Sequence, residues 1–183
     1  MKRSATFAQT TNSMKNWFAI ACMICANNAF SQELLKFEND KYIMQYPAGW
    51  TLDVTENSGT EFMIFSPLLN EEDQYQDFFR LTIIPQQGLN HTLESCTDQY
   101  VKDLSFFYQD LKINIDEYTE LGGRRCRHIQ YNGSFSGFGL AQEDYIWLIA
   151  DQSYTLNYCA ELIDYWKLRD KSKELFKTFR FKN

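Results

Sequence analysis

The stretch Tyr42–Val54, YIMQYPAGWTLDV, decides the fold. On either side of its centre, YIMQY (42–46) and WTLDV (50–54) alternate, the period of a β-strand. At the centre, Pro47 fixes φ and removes a backbone donor, and Gly49 permits a left-handed turn. The phrase therefore reads as a corner that closes one strand and launches the next, WTLDVT (50–55). The alternation after it sends Trp50, Leu52 and Val54 to one face, with Trp50 in the core as a large aromatic usually is.

Working outward, LLKFEN (34–39) pairs with 42–46 as a hairpin about Asn39–Lys41. Residues 56–60 read as a loop, EFMIFS (61–66) as a strand, 67–77 as a polar connection and FFRLTIIP (78–85) as a strand ending at a proline. The period then changes. Leu93, Cys96, Tyr100, Leu104, Phe107 and Leu111 recur at helical spacing, with Thr92 as the cap and Glu94 in the first turn. INIDEYTEL (113–121) returns to strand, Gly122-Gly123 turns the chain and RRCRHIQY (124–131) pairs back. NGSFSGFG (132–139) has the composition of a flexible link. LAQEDYIWLIA (140–150) and SYTLNYCA (153–160) make a hairpin about Asp151-Gln152. A second amphipathic helix follows, with Tyr165, Leu168, Ser172, Leu175 and Phe176 inward, and FRF (179–181) can close as a strand. Short turns force antiparallel neighbours. Strands in runs, set apart from helices, predict an α+β domain with helices packed on the sheet.

The first 31 residues differ from the rest: they carry no Asp or Glu, and WFAIACMICA (17–26) is an apolar run. MKN precedes it, with Met14 as a second candidate start, and Ala29 and Ser31 follow as small residues two apart. That is the pattern of a secretory signal peptide cut after Ser31. The run is about half of the roughly 20 residues that span a bilayer, so no permanent anchor is expected. A lipid-anchored alternative at Cys22 ranks lower, because the apolar stretch before it is short. Removing residues 1–31 takes Lys2, Arg3 and Lys15 from the 18 basic residues, leaving 15 against 24 acidic ones, a net charge of −9. Such a balance argues against a nucleic-acid partner. The remaining 152 residues suit one domain, with 16% aromatic residues in the full chain to fill its core.

At this point three phrases resemble the PsbP-like family. YIMQYPAGWTLDV is similar to its opening strand, tyrosine-proline and x-glycine-tryptophan; LGGRRCRHIQY (121–131) to its glycine-turn strand; YTLNYCAELIDYWKLRDKSKELFKTFRF (154–181) to its closing strand, helix and phenylalanine-basic-phenylalanine end. They stand in the family's order across nearly all of residues 32–183. The resemblance implies an α/β/α sandwich around a central antiparallel sheet, as in PsbP, Mog-type and DcrB-type proteins. It implies a non-catalytic binding or accessory role with an unknown protein partner in the cell envelope. The alternatives are a small-ligand or lipid carrier and, behind that, a hydrolase with an unrecognised site. No family site carries over residue by residue, and no cofactor is expected.

The remaining constellations are weighed on their own chemistry. Cys126-x-His128 puts a thiol and an imidazole on one strand face, and Cys159 could add a third ligand, but a closed zinc site usually needs four. The sequence therefore assigns no metal. Cys96, Cys126 and Cys159 are an odd set at wide spacing, read as buried small hydrophobes with room for one bridge at most. GSFSG (133–137) has Phe135 where a nucleophile elbow has serine, and GFG (137–139) lacks the third glycine of a dinucleotide loop. Glu71, Glu72, Asp73 and Asp77 lack calcium-loop spacing and read as a solvated loop. Asn90-His91-Thr92 and Asn132-Gly133-Ser134 are glycosylation acceptors only in a eukaryotic secretory pathway. Arg124, Arg125 and Arg127 form a basic island, with Arg125 and Arg127 on one strand face and Arg124 on the other. They mark a contact for an anionic partner or balance the charge of the sheet's exposed face.

Overall fold

A computed structural model describes residues 33–55, 59–68, 75–86 and 91–182. The expected signal segment, 1–31, lies outside the described residues, as do Glu71, Glu72, Asp73 and Asn90. From Leu34 the chain runs β1 (Leu34–Glu38), β2 (Tyr42–Pro47), β3 (Thr51–Asp53), β4 (Thr60–Phe65), β5 (Phe78–Pro85), helix α1 (Leu93–Phe107), β6 (Gln109–Leu121), β7 (Arg124–Phe135), β8 (Phe138–Ile149), β9 (Gln152–Glu161), helix α2 (Leu162–Phe176) and β10 (Arg180–Phe181). The strands form a three-stranded sheet, β1-β2-β10, and a seven-stranded sheet, β3-β4-β5-β9-β8-β7-β6. Each of these pairs is antiparallel. The class is α+β, as the run of short turns requires.

The corner at 46–50 passes the chain from one sheet to the other, since β2 belongs to the small sheet and β3 to the large one. Trp50 N donates to Pro47 O at 2.9 Å and closes the turn. Trp50 is buried and tilts against Phe79, with their ring centroids 6.1 Å apart. Two details differ from expectation. Gly49 is not in the left-handed region, so the proline turn is made without it. Val54 is exposed, because β3 ends at Asp53, whose carboxylate accepts from Thr55 N at 2.8 Å and turns the chain away.

Thr92 caps α1 as expected, and Ser95 reciprocates by accepting from Thr92 N at 3.0 Å. The helix ends earlier than its period suggests. Tyr108 is already extended, Phe107 is exposed, and Leu111 belongs to β6. The residues read as a flexible link, 132–139, are instead the ends of β7 and β8, turned at Ser136-Gly137 with φ of 50° and 89°. Gly133 is small for a packing reason: a Cβ there would lie 2.9 Å from the Gln109 carbonyl of β6. The β8–β9 turn falls on Ala150-Asp151, one residue earlier than expected, both at positive φ.

The strand registers sort side chains between the two faces of the large sheet. Phe79, Leu81, Trp147, Leu156 and Tyr158 lie on one face, packed by Tyr165, Leu175 and Phe176 of α2 and by Tyr42 and Met44 of the small sheet. The opposite face carries α1, whose Leu104 packs with Ile129, Tyr131 and Ile146. Among the described residues, no helix is long and apolar enough to cross a membrane.

Candidate functional site

Helix α1 lies chiefly over β6, β7 and β8. The same sheet face continues across β9 and β5, and the side chains there are unusually polar. Register sets Tyr131 of β7 beside Gln142 of β8, Gln142 beside Cys159 of β9, Asp144 beside Asn157, and Asn157 beside Arg80 of β5. Asp144 is fully buried, and its carboxylate accepts from Tyr100 OH at 2.6 Å and Asn157 Nδ2 at 2.5 Å. Gln142 Oε1 accepts from Asn157 Nδ2 at 2.8 Å and Tyr131 OH at 3.2 Å, and Gln142 Nε2 donates to Tyr108 OH. Burial pushes the Asp144 carboxyl up from the ordinary range and holds Tyr100, Tyr131 and Tyr108 protonated.

Two adjoining cavities open over this network. One, of about 390 Å³, is bounded by Tyr75, Phe78, Arg80, Tyr108, Phe138 and Cys159. The other, of about 460 Å³, lies under α1 among Arg80, Tyr100, Leu104, Phe107, Tyr108 and Gln142. Arg80, Tyr108, Phe135 and Gln142 border both. Each volume is in the roughly 300–1,000 Å³ range of small-molecule sites. Cys159 Sγ lies 2.9 Å from Tyr75 OH, and burial pushes its thiol up to about 12. Among the described residues, Arg80 Nε is buried with no hydrogen-bond partner, and so is Asn157 Oδ1 beside it.

The α2 face holds a smaller polar unit. Glu143, 1% exposed, lies 2.9 Å from His128 Nε2 and accepts from Tyr165 OH at 3.1 Å, while Gln130 Nε2 donates to the same tyrosine oxygen. The His128 ring stacks on Tyr145 at 4.4 Å between centroids. A third cavity, of about 350 Å³, exposes one edge of this unit between Glu117, Lys173 and Lys177. The unit satisfies a buried carboxylate on two sides, which is what such a group requires.

The expected site residues are placed as follows. Arg124 is exposed, its guanidinium 5.2 Å from the centroid of the Phe181 ring. Arg125 is exposed on the opposite sheet face, 4.6 Å from the Tyr118 ring centroid and 3.9 Å from Glu94. Arg127 is buried, with Nε and Nη2 donating to Asp116 at 2.6 and 2.7 Å and Nη1 donating to Asp98 at 2.5 Å and Thr97 Oγ1 at 2.9 Å. Cys126 and His128 share the α2 face, whereas Cys159 lies on the α1 face and cannot join them. Cys126 Sγ donates to Thr119 O at 3.7 Å, and all three cysteines are free. Asp77 is buried and accepts from Tyr158 OH at 3.1 Å.

Sequence reasoning passed over Arg80, Gln142, Asp144 and Asn157. The signal was present: FFRLTIIP holds one charge in a run of strand formers, and LAQEDYIWLIA holds three polar residues between apolar ones. A charge inside a buried strand needs a partner, and asking for it would have singled these residues out.

No family model matches the sequence, and no curated protein matches it. Solved structures do. Cyanobacterial PsbP (CyanoP) of Synechocystis superposes with a TM-score of 0.60 at 11% identity, over 85% of this chain and 96% of that one. LpqN, involved in cell envelope biogenesis of Mycobacterium tuberculosis, gives 0.58 at 14% identity, over 90% of this chain and 97% of that one. PA94 of Pseudomonas aeruginosa, a protein of unknown function, gives 0.57 at 9%, over 80% and 95%. The chain therefore has the PsbP-like fold that its sequence phrases resemble. At these identities the likeness is one of fold, and the site stands on its own chemistry.

Proposed function

We propose that the chain is a secreted or periplasmic binding or accessory protein, non-catalytic, built as a PsbP-like α/β/α sandwich. Residues 1–31 are its removable signal peptide and 32–183 its single domain. The observation that carries the binding reading is the pair of cavities over the α1 face. Most of their polar floor is engaged in its own hydrogen bonds, Arg80 Nε is left without one among the described residues, and their walls are aromatic. The groups there that a reaction would have to ionise are held neutral: burial pushes the Cys159 thiol up to about 12 and Tyr108 above its ordinary range. Such a site orients and shelters a ligand, and a small-ligand carrier is the form of the function that these cavities favour.

A protein partner in the envelope is the complementary proposal. Arg124 and Arg125 offer it two exposed cations on opposite sheet faces, while Arg127 fixes the strand between them. LpqN's involvement in envelope biogenesis is in keeping with this setting. The test is expression of the full chain in a bacterial host, followed by native mass spectrometry of the exported fraction. The expected result is a chain beginning at Gln32 that carries a small molecule released on denaturation. A chain retaining residues 17–26 would sink the secretion reading, and turnover of a model ester abolished by Cys159→Ala would sink the non-catalytic one.

A further inference from the structure

Two arginines on the α1 face are treated very differently. Arg127 fills its fork with Asp116 and Asp98. Arg80, in β5, has no ion pair or hydrogen bond among the described residues: its charge is felt at a distance by buried Asp144 and Cys159, and its one ring contact is Phe78 at 5.8 Å to the centroid. Its Nε is buried without a partner. A buried donor left unmet is costly, and native structures seldom keep one without a use.

We infer that the cavity bounded by Tyr75, Phe78, Arg80, Tyr108 and Phe138 takes an apolar monocarboxylate, with its carboxylate on the Arg80 guanidinium and its body among the aromatic rings. The inference rests on the ligand-binding reading above and names its ligand class. The guanidinium is a planar fork of donors that matches a carboxylate in two parallel bonds, and it keeps its charge at every physiological pH. Among the described residues that border this cavity Arg80 is the one that carries a charge, which matches a single negative charge. Among the described residues a dianion would find no second cation at this cavity. The walls favour an apolar body: Phe138 lies 5.7 Å from Tyr75, and Phe135 lies 5.6 Å from Tyr108, centroid to centroid. The ligand's oxygens would supply the acceptor that Arg80 Nε lacks.

The test is calorimetric titration of the full chain with 2-naphthoate, decanoate and the neutral 2-naphthalenemethanol. At least one carboxylate should bind, and the naphthoate should bind more tightly than the alcohol. Preference between the two acids tells an aromatic acid from a fatty acid, and either outcome supports the shared chemistry. Arg80→Gln should weaken carboxylate binding about 10- to 100-fold, the worth of a hydrogen bond to a charged group, and leave the alcohol unchanged. Arg80→Lys should fall between. If Arg80→Gln does not fold by circular dichroism, Phe138→Ala serves instead and should weaken acid and alcohol alike. Carboxylate binding unaffected by Arg80→Gln, or by Phe138→Ala, overturns the inference. Equal binding of acid and alcohol to the wild-type chain overturns the charge assignment and leaves the ligand-binding reading standing. No binding by any probe overturns both.

Discussion

The two faces of the seven-stranded sheet are built to different ends. On one, α2 and the small sheet cover strands whose inward residues are mostly apolar, and the main polar unit, Glu143 with His128 and Tyr165, is paired within itself and open to a cavity at one edge only. On the other, α1 covers part of the surface, and polar residues on β5, β8 and β9 meet cavities. Burial of apolar area is what stabilises a domain. A face that is only partly covered forgoes some of that stabilisation, and the usual return is a place for a ligand. On the proposed reading the α2 face serves stability and the α1 face recognition, and each half of that reading can be broken by mutation.

The largest effect belongs on the α2 face. Trp147 is 1% exposed, packs on Phe179 and Phe181, and donates from Nε1 to Leu121 O at 3.3 Å. Trp147→Ala should lower unfolding stability by about 3–5 kcal/mol. Trp50→Ala, at the corner between sheets, should fall near the lower end of that range, since this ring keeps an edge at the surface beneath Lys171. Phe107→Ala at the mouth of the α1 cavities should change stability by no more than about 0.5 kcal/mol, as an exposed side chain does. Urea unfolding of the three variants ranks them. A Phe107 variant as damaged as the Trp147 variant would mean that both faces are structural.

Next in size is the Arg127 clamp. Asp116→Asn leaves a buried guanidinium with Asp98 and Thr97 alone, and should cost about 1–2 kcal/mol, because the lost carboxylate is a third exposed and partly screened. The acids on the α1 face should also differ in sign with pH. Arg127 holds Asp116 below the ordinary carboxylate range, so its contribution is present above the unfolded pKa and is lost as pH falls through the folded one. Burial raises Asp144, so the folded state binds its proton more readily than the unfolded chain does, and stability declines as pH rises through its folded pKa. Unfolding midpoints of Asp116→Asn and Asp144→Asn, each against wild type from pH 3 to 8, should diverge in opposite directions. Parallel curves would remove the distinction between a paired and a desolvated acid.

Much of the fold is written in local pattern. Period-2 runs and Gly122-Gly123 locate the strands of the large sheet, and Thr92 with the 3.6 period after it locates α1. What eluded that pattern depended on neighbours distant in the chain. NGSFSGFG looks like a linker because Gly133 must be small, and it must be small because β6 brings the Gln109 carbonyl against it. The corner is visible at Pro47, but its passage between sheets follows from β2 pairing with β10, at the far end of the chain. The site was less legible still. Arg80 is plain to see in FFRLTIIP, but its lack of a partner appears only when register sets it opposite Asn157.

The smallest effect sharpens the reading of the corner. Residues Pro47 to Trp50 close a turn through one backbone hydrogen bond of 2.9 Å, and Gly49 within it invites the view that only glycine will do. The geometry says otherwise. Gly49 is outside the left-handed region, and a Cβ built there meets nothing within 4 Å. Gly59 is the opposite case, at φ 82° with a Cβ position 2.8 Å from the Ile83 carbonyl. Where the native backbone suits an ordinary residue, replacing glycine removes freedom from the unfolded chain and gains about 0.4–1 kcal/mol. Gly49→Ala should therefore be neutral or stabilising by up to that amount, and Gly59→Ala clearly destabilising. A Gly49→Ala loss above about 1 kcal/mol would return the corner to a glycine-dependent turn. Neutrality would leave Pro47 and buried Trp50 as the residues that hold it, one by fixing the backbone and the other by anchoring against Phe79.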